Sequence, residues 1–281
     1  MSELGGKRAL VTGASSGIGA AIARLLAAQG VDLVLTARRR PELDAIAAEC
    51  SALGVRADIV VTDLGRPEAA AALWAAATAD GAVDICINNA GFGYFRPFAE
   101  IEWERDAEMV QLNVTAVVQL SHLFVRARAQ DPGRAYLLNI ASIGAYQSVP
   151  NMALYAATKA FVRNFTEALH DEHAGSSLSA TVVCPGGTKT EFHANAGAGN
   201  YSWIANASMM SAEQCANICV RSMIKRKRTV IPGFVNKLSC FGVRLVPRRF
   251  ASWMANRVLG KPRAGELPSR TTPSRTTGKT A

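Results

Sequence analysis

Strand-length apolar runs that alternate with helix-length segments leave a chain few ways to fold. Six such runs stand in order: RALVTGA (8–14), VDLVLTA (31–37), DIVVTDL (58–64), VDICINNAG (83–91), AYLLNIAS (135–142) and SATVVCPGG (179–187). Their apolar character is nearly continuous, so both faces of each strand need cover. Helical segments lie between them: an alanine-rich stretch over 17–30 that ends at Gly30, PELDAIAAECSAL (41–53) with Pro at its start, and one after Pro67. A long helix spans roughly 101–129, and another carries Tyr155. A helix at 211–226 precedes TVIP (229–232), which reads as an added edge strand. The pattern predicts an α/β fold: one doubly wound parallel sheet of about seven strands with helices on both faces.

The 281 residues supply a sizeable core without metal or disulfides. The six cysteines are scattered through apolar runs, and Cys215 and Cys219, one helical turn apart, lack further ligands at zinc spacing. Reduced thiols, no metal and a cytoplasmic location are expected. Met1 to Lys7 is short and polar, so no secretory leader is expected, and no run reaches the roughly 18–20 apolar residues of a membrane span. Charge is uneven: residues 221–281 hold 15 Lys/Arg against one acidic residue, a balance of +14, while the rest of the chain is net acidic. The expected organisation is a catalytic domain over 1–235, with an irregular lid at 188–210. A basic amphipathic extension over 236–263 and a disordered tail over 264–281 follow it.

TGASSGIG (12–19) lies between the first strand and the first helix. A glycine-rich turn there lets backbone approach a pyrophosphate, which rests on the exposed N–H groups at the helix start. Gly13, Gly17 and Gly19 carry that role, and Ser15, Ser16 and Ile18 are counted with them as cofactor-binding. The fold is accordingly read as Rossmann-type. The second strand ends TARRR, with Ala37 where an acidic residue would receive the adenosine ribose of NAD. Arginine pairs with phosphate in a two-pronged geometry, so NADP(H) is the expected cofactor, with Arg38 as the 2′-phosphate contact and Arg40 as a solvated charge.

YAATK (155–159) places a phenol and an ammonium one helical turn apart. With TGASSGIG, TDL (62–64), NNAG (88–91), NV (113–114), Ser142 and PGG (185–187), all in order, the chain resembles the short-chain dehydrogenase/reductase family over roughly residues 5–235. The resemblance implies that Tyr155 is the general acid for carbonyl reduction and the base in reverse. A free phenol titrates near 10, and a neighbouring cation favours its phenolate. Lys159 is implied to supply that cation and to bind the nicotinamide ribose. Ser142 is implied to orient the substrate oxygen, and Asn113 to help hold a proton-relay water. Asp63 and Leu64, then Asn89, Ala90 and Gly91, would face the adenosine, while Asn88 braces the sheet. Pro185, Gly186, Thr188 and Thr190 would lie beside the nicotinamide or pyrophosphate, although Lys189 departs from the small or apolar residue expected there. Family members are commonly homodimers or homotetramers.

Ser142, His170, Asp171 and His173 also contain the residue types of a hydrolase triad, but no nucleophile-elbow sequence surrounds Ser142. Phe192, His193, Tyr201, Trp203, Met209 and Met210 in the lid, with FGYF (92–95) and Tyr146 opposite, suit a lipophilic ketone, aldehyde or alcohol. The extension is similar to one found in a subgroup that includes 3-ketoacyl reductases. Three roles are open to it: packing over the substrate mouth, a subunit contact, or a peripheral membrane contact. Nucleic-acid binding is not expected, since no aromatic stacking pattern accompanies the basic tail. The alternative to catalysis is an NADP-binding redox sensor that signals through that tail.

Overall fold

The computed structural model describes residues 3–129, 131–188 and 209–259. Seven strands form one wholly parallel sheet: β1 (Arg8–Thr12), β2 (Asp32–Ala37), β3 (Ala57–Val61), β4 (Ile85–Asn88), β5 (Ala135–Ile140), β6 (Leu178–Val183) and β7 (Thr229–Val230). Their order is β3-β2-β1-β4-β5-β6-β7. The chain therefore winds outward from β1 in one direction and then, from β4, in the other. That reversal opens a crevice at the carboxyl ends of β1 and β4, where doubly wound folds bind ligands.

Helices cover both faces. On one side α1 (Gly17–Ala27), α2 (Arg40–Ser51) and α7 (Ala212–Ile224) pack Ile22, Leu26, Leu43, Ile46 and Val220 on the sheet. On the other, α3 (Ala69–Thr78) and α5 (Ala116–Arg128) contribute Leu73, Leu120 and Phe124. Burying such side chains is worth about 1.5–3 kcal/mol each, which is why strand runs with no polar face are stable only here. Beyond β7 the chain forms α8 (Phe234–Gly242), a short 3-10 turn (Val243–Leu245) and α9 (Arg248–Leu259), so helical structure starts two residues before the expected extension.

Several expected strands are too long at their carboxyl ends. TDL after Val61, NAG after Asn88 and PGG after Val183 have left the sheet. Gly91 in the second and Pro185, Gly186 and Gly187 in the third weaken ladder pairing, and the freed backbone forms the rim of the crevice. The long helix expected over 101–129 is α4 (Trp103–Val110) running into α5 through one wide π turn, Gln111–Thr115. The lid at 188–210 and the tail at 264–281 lie outside the described residues, except for Thr188, Met209 and Met210; Thr188 and Met210 form a parallel bridge. Among the described residues no helix is long and apolar enough to cross a membrane.

A polar link runs through this apolar interior. Asn88 Nδ2 donates to Asn139 Oδ1 at 2.8 Å and to Ser121 Oγ at 3.2 Å. Asn139 Nδ2 in turn donates to Thr166 Oγ1 at 2.8 Å, on α6 (Ala153–Glu172). Such buried bonds are satisfied in only one register. They fix α6, and with it Tyr155 and Lys159, against the ends of β4 and β5.

Candidate active site

The loops after β1 and β4 are stitched together across the crevice. Thr12 Oγ1 accepts from the backbone N–H groups of Asn89 and Ala90, both at 3.0 Å. Asn89 Nδ2 donates to the carbonyls of Thr12 at 3.0 Å and Gly13 at 3.3 Å. Gly13 has φ +66°, and a β-carbon on Gly19 would lie 2.3 Å from the Gly13 carbonyl oxygen, so both positions need glycine. The first turn of α1 carries no acidic residue and Ser16 makes no side-chain cap, which leaves its positive end for an external anion. Asp63 does not cap α3; its Oδ1 accepts from Gly65 N at 3.1 Å. Arg39 Nη2 lies 3.5 Å from Ser15 Oγ and Arg39 pairs with Glu42 at 3.1 Å. Among the described residues Arg38 has no ion-pair partner, while Arg40 pairs along α2 with Asp44.

The other half of the site forms where β5 and α6 meet. Ser142, just past β5, starts a 3-10 turn and accepts from Gly144 N at 3.1 Å, which fixes its side chain at the crevice. Lys159 is buried and donates from Nζ to the Ile140 carbonyl at 2.9 Å, with Nζ 5.9 Å from the centre of the Tyr155 ring. Burial pushes its ammonium down to about 8. That value is still above neutrality, so the ammonium form predominates at pH 7. Asn113 lies on the π turn, fully buried. Its Nδ2 donates to the Phe92 carbonyl at 2.8 Å and to Thr158 Oγ1 at 3.2 Å, and its Oδ1 accepts from Phe92 N at 3.1 Å. Thr158 Oγ1 donates to the Tyr155 carbonyl at 2.8 Å. Asn113 thus ties the loop after β4 to the turn of α6 that bears Tyr155, and the wide turn is what lets it reach both.

One cavity of about 1170 Å³ contains both halves. Gly13, Ser15, Ser16, Gly17, Ile18, Arg38, Asp63, Leu64, Asn89, Ala90 and Gly91 line one end. Ser142, Tyr155, Lys159, Pro185, Gly186 and Thr188 line the middle. Of the other expected site residues, Gly19 and Asn113 stand behind the lining, where they act by packing and by hydrogen bonds. Thr190 falls outside the described residues, as do Phe192, His193, Tyr201 and Trp203. Phe92, Tyr94, Tyr146 and Met209 reach the cavity, but Phe95 is 2% exposed in the core and Met210 packs on the core beside α7. His170 is committed elsewhere, with Nδ1 2.7 Å from the Ala180 carbonyl, and Asp171 pairs with Arg228. Among the described residues no hydrolase triad forms around Ser142.

Three features were not legible from sequence motifs. Arg39 reaches the glycine loop more directly than its neighbours. Asn236 on α8 is buried against the loop after β6, so close that a β-carbon on Gly186 would lie 2.4 Å from its Nδ2. The far wall belongs to the extension, where Val243, Val246, Ala251, Met254 and Val258 face inward. Only a weak signal pointed there, the apolar spacing over 232–260. Burial raises the thiols of Cys184, to about 12, and Cys240, to about 11, and holds the Tyr146 hydroxyl well above the usual phenol range. All three are neutral near pH 7.

A switch-point crevice with an anion-ready helix end, next to a serine, a tyrosine and a buried lysine, defines a dinucleotide-dependent class of enzyme. The family model described as short chain dehydrogenase matches residues 7–201, and the chain belongs to that family as an oxidoreductase. An uncharacterized oxidoreductase of Myxococcus xanthus is 34% identical over 196 residues, which are 69% of this chain and 77% of that protein. A solved structure of a 7β-hydroxysteroid dehydrogenase matches with a TM-score of 0.81 at 26% identity, covering 90% of this chain and 98% of that one. A short-chain dehydrogenase from Sphingobium yanoikuyae, solved in complex with NADPH, matches with a TM-score of 0.75 at 31% identity, over 85% and 94% of the two chains.

Proposed function

We propose that the protein uses NADP(H) to interconvert an uncharged, lipophilic ketone or aldehyde and its alcohol. One observation carries the substrate class. Among the described residues lining the cavity, the charged side chains are Arg38, Arg39, Asp63 and Lys159. The first three lie at the glycine-loop end and the fourth beside Tyr155, so among the described residues the remaining wall offers a substrate no counter-ion. A carboxylate or phosphate placed there would lose its hydration without repayment. The likeness to a hydroxysteroid dehydrogenase supports the same reading.

The glycine loop, α1 and the two arginines fit a phosphorylated dinucleotide, and the nicotinamide end would reach Pro185 and Gly186. Bound there, a reduced nicotinamide would supply the hydride. The chain's own residues handle the oxygen. Ser142 donates a hydrogen bond to the carbonyl, and Tyr155 transfers its phenolic proton to that oxygen as carbon is reduced. The phenolate left behind is stabilised by the Lys159 ammonium, held in place by the Ile140 carbonyl. In alcohol oxidation the same phenolate takes the proton back. Burial disfavours that ammonium relative to an exposed lysine, at a cost in stability. The cost is understandable where the cation has chemical work.

Two measurements test this. Rates of NADPH oxidation with aryl, steroid and acyl ketones should exceed those with matched keto acids by about a hundredfold or more in kcat/KM; a preference for the acids would overturn the substrate class. Arg38→Ala should weaken NADPH binding by about 10–100-fold while NADH changes little, because a hydrogen-bonded charge pair is lost only with the phosphorylated cofactor. Arg39, already partly neutralised by Glu42, should show the smaller loss. Equal losses for both cofactors in Arg38→Ala would place the phosphate elsewhere.

A further inference from the structure

The extension has a second, solvent-exposed face that borders the cavity. On α8 and the turn after it, Phe234, Leu238, Phe241 and Leu245 recur at helical spacing, and all are exposed, Phe234 at 81% and Leu245 at 71%. On α9 Phe250 and Trp253 are about half exposed, with their rings 5.6 Å apart, and the Arg257 guanidinium lies 5.2 Å from the Trp253 ring. Residues 234–259 contain five cations (Lys237, Arg244, Arg248, Arg249 and Arg257) and no acidic residue. Scattered apolar side chains are normal on a protein surface, but a stripe of them flanked by one sign of charge is not.

We propose that this face docks on an anionic lipid surface, with the cavity mouth opening at the contact. Large apolar and aromatic side chains would enter the headgroup region while the guanidinium and ammonium groups pair with lipid phosphates. Charge favours lipid over a second copy of the chain, because symmetric pairing of this face would set cations against cations with no carboxylate between them. Position ties the face to the site: Val235, Phe250 and Met254 are each exposed and also line the cavity. A molecule dissolved in lipid would therefore meet the mouth without crossing water. That last step rests on the lipophilic-substrate reading; the docking itself does not.

Co-sedimentation of the full chain with vesicles tests the proposal without any turnover measurement. Binding to phosphatidylcholine vesicles containing about 30% phosphatidylglycerol should be about tenfold tighter or more than to phosphatidylcholine alone, and should weaken in high salt. The pair Leu238→Asp, Phe241→Asp should abolish it, and Arg248→Glu with Arg249→Glu should weaken it by about tenfold or more. None of these four residues lines the cavity, so NADPH oxidation with a small water-soluble ketone should be unchanged in both variants. Both arginines are exposed and carry the test if the aspartates disturb folding. Equal binding to both vesicle types, or full binding by the arginine variant, would overturn the proposal. So would an oligomer that dissociates in sedimentation velocity when Leu238 and Phe241 are changed, since the face would then belong between copies. Loss of ketone selectivity with vesicle binding intact would sink the substrate reading alone.

Discussion

Tyr155→Phe should lower kcat by about a thousandfold or more while leaving NADPH affinity within about twofold of the unchanged protein. The substitution deletes one oxygen from a ring that stays in place, so the cavity keeps its shape and the glycine-loop end is untouched. What disappears is the proposed proton donor, and removing a general acid typically costs two to four orders of magnitude. Water is a poor substitute, because the described wall beyond is mostly apolar and holds no second group of matched acidity beside the phenol's position. Cofactor titration by nicotinamide fluorescence, beside single-turnover absorbance, separates binding from chemistry. The same variant decides between an enzyme and a redox sensor. A protein that only reads the cofactor's oxidation state would signal normally with phenylalanine at 155. Turnover within tenfold of the parent would remove the phenol from the reaction.

The fold was readable because its signal is redundant. Six nearly continuous apolar runs at helix-length intervals admit little besides a two-face-covered parallel sheet, and each was placed within a few residues. The overshoots share one cause: apolar or small residues such as those in NNAG and PGG look like strand to a periodicity argument, although what they form is the crevice rim. The resemblance to the family brought Ser142, Tyr155 and Lys159 together as a candidate set, and they line one cavity because one strand end and one helix turn carry them. What escaped was set by tertiary contact. The wide turn at Gln111–Thr115 leaves no compositional mark, yet it decides where the Asn113 carboxamide points. Asn236 and the inward side of α8 and α9 are far in sequence from every motif, and an amphipathic stretch does not announce which neighbour it covers. Arg38 and Arg39 illustrate the limit most simply. Two adjacent arginines read alike, and only the fold sends one toward Ser15 and Glu42.

Gly93→Ala should cut kcat by about a hundredfold with little change in cofactor affinity or melting temperature. No motif marks this glycine, and its backbone needs no left-handed conformation. Its importance is distance: a β-carbon there would lie 2.5 Å from Cδ2 and 2.8 Å from Cγ of Tyr155. These atoms belong to the base of the ring, not to a flexible tip, so an added methyl group must push the ring or the loop aside by about 1 Å, a misplacement that can cost two orders of magnitude when geometry controls the rate. The loop cannot yield easily, because Asn113 grips the preceding residue, Phe92, at both its N–H and its carbonyl. The ring therefore moves, carrying the phenolic oxygen away from Ser142. Phe92→Ala is the useful contrast: it also alters the cavity wall, but leaves the space against the Tyr155 ring free, so it should change KM for bulky ketones more than kcat. If Gly93→Ala retained full kcat on every ketone turned over by the parent, the Tyr155 ring would not need the position it occupies, and the proton transfer assigned to it would fail with that result.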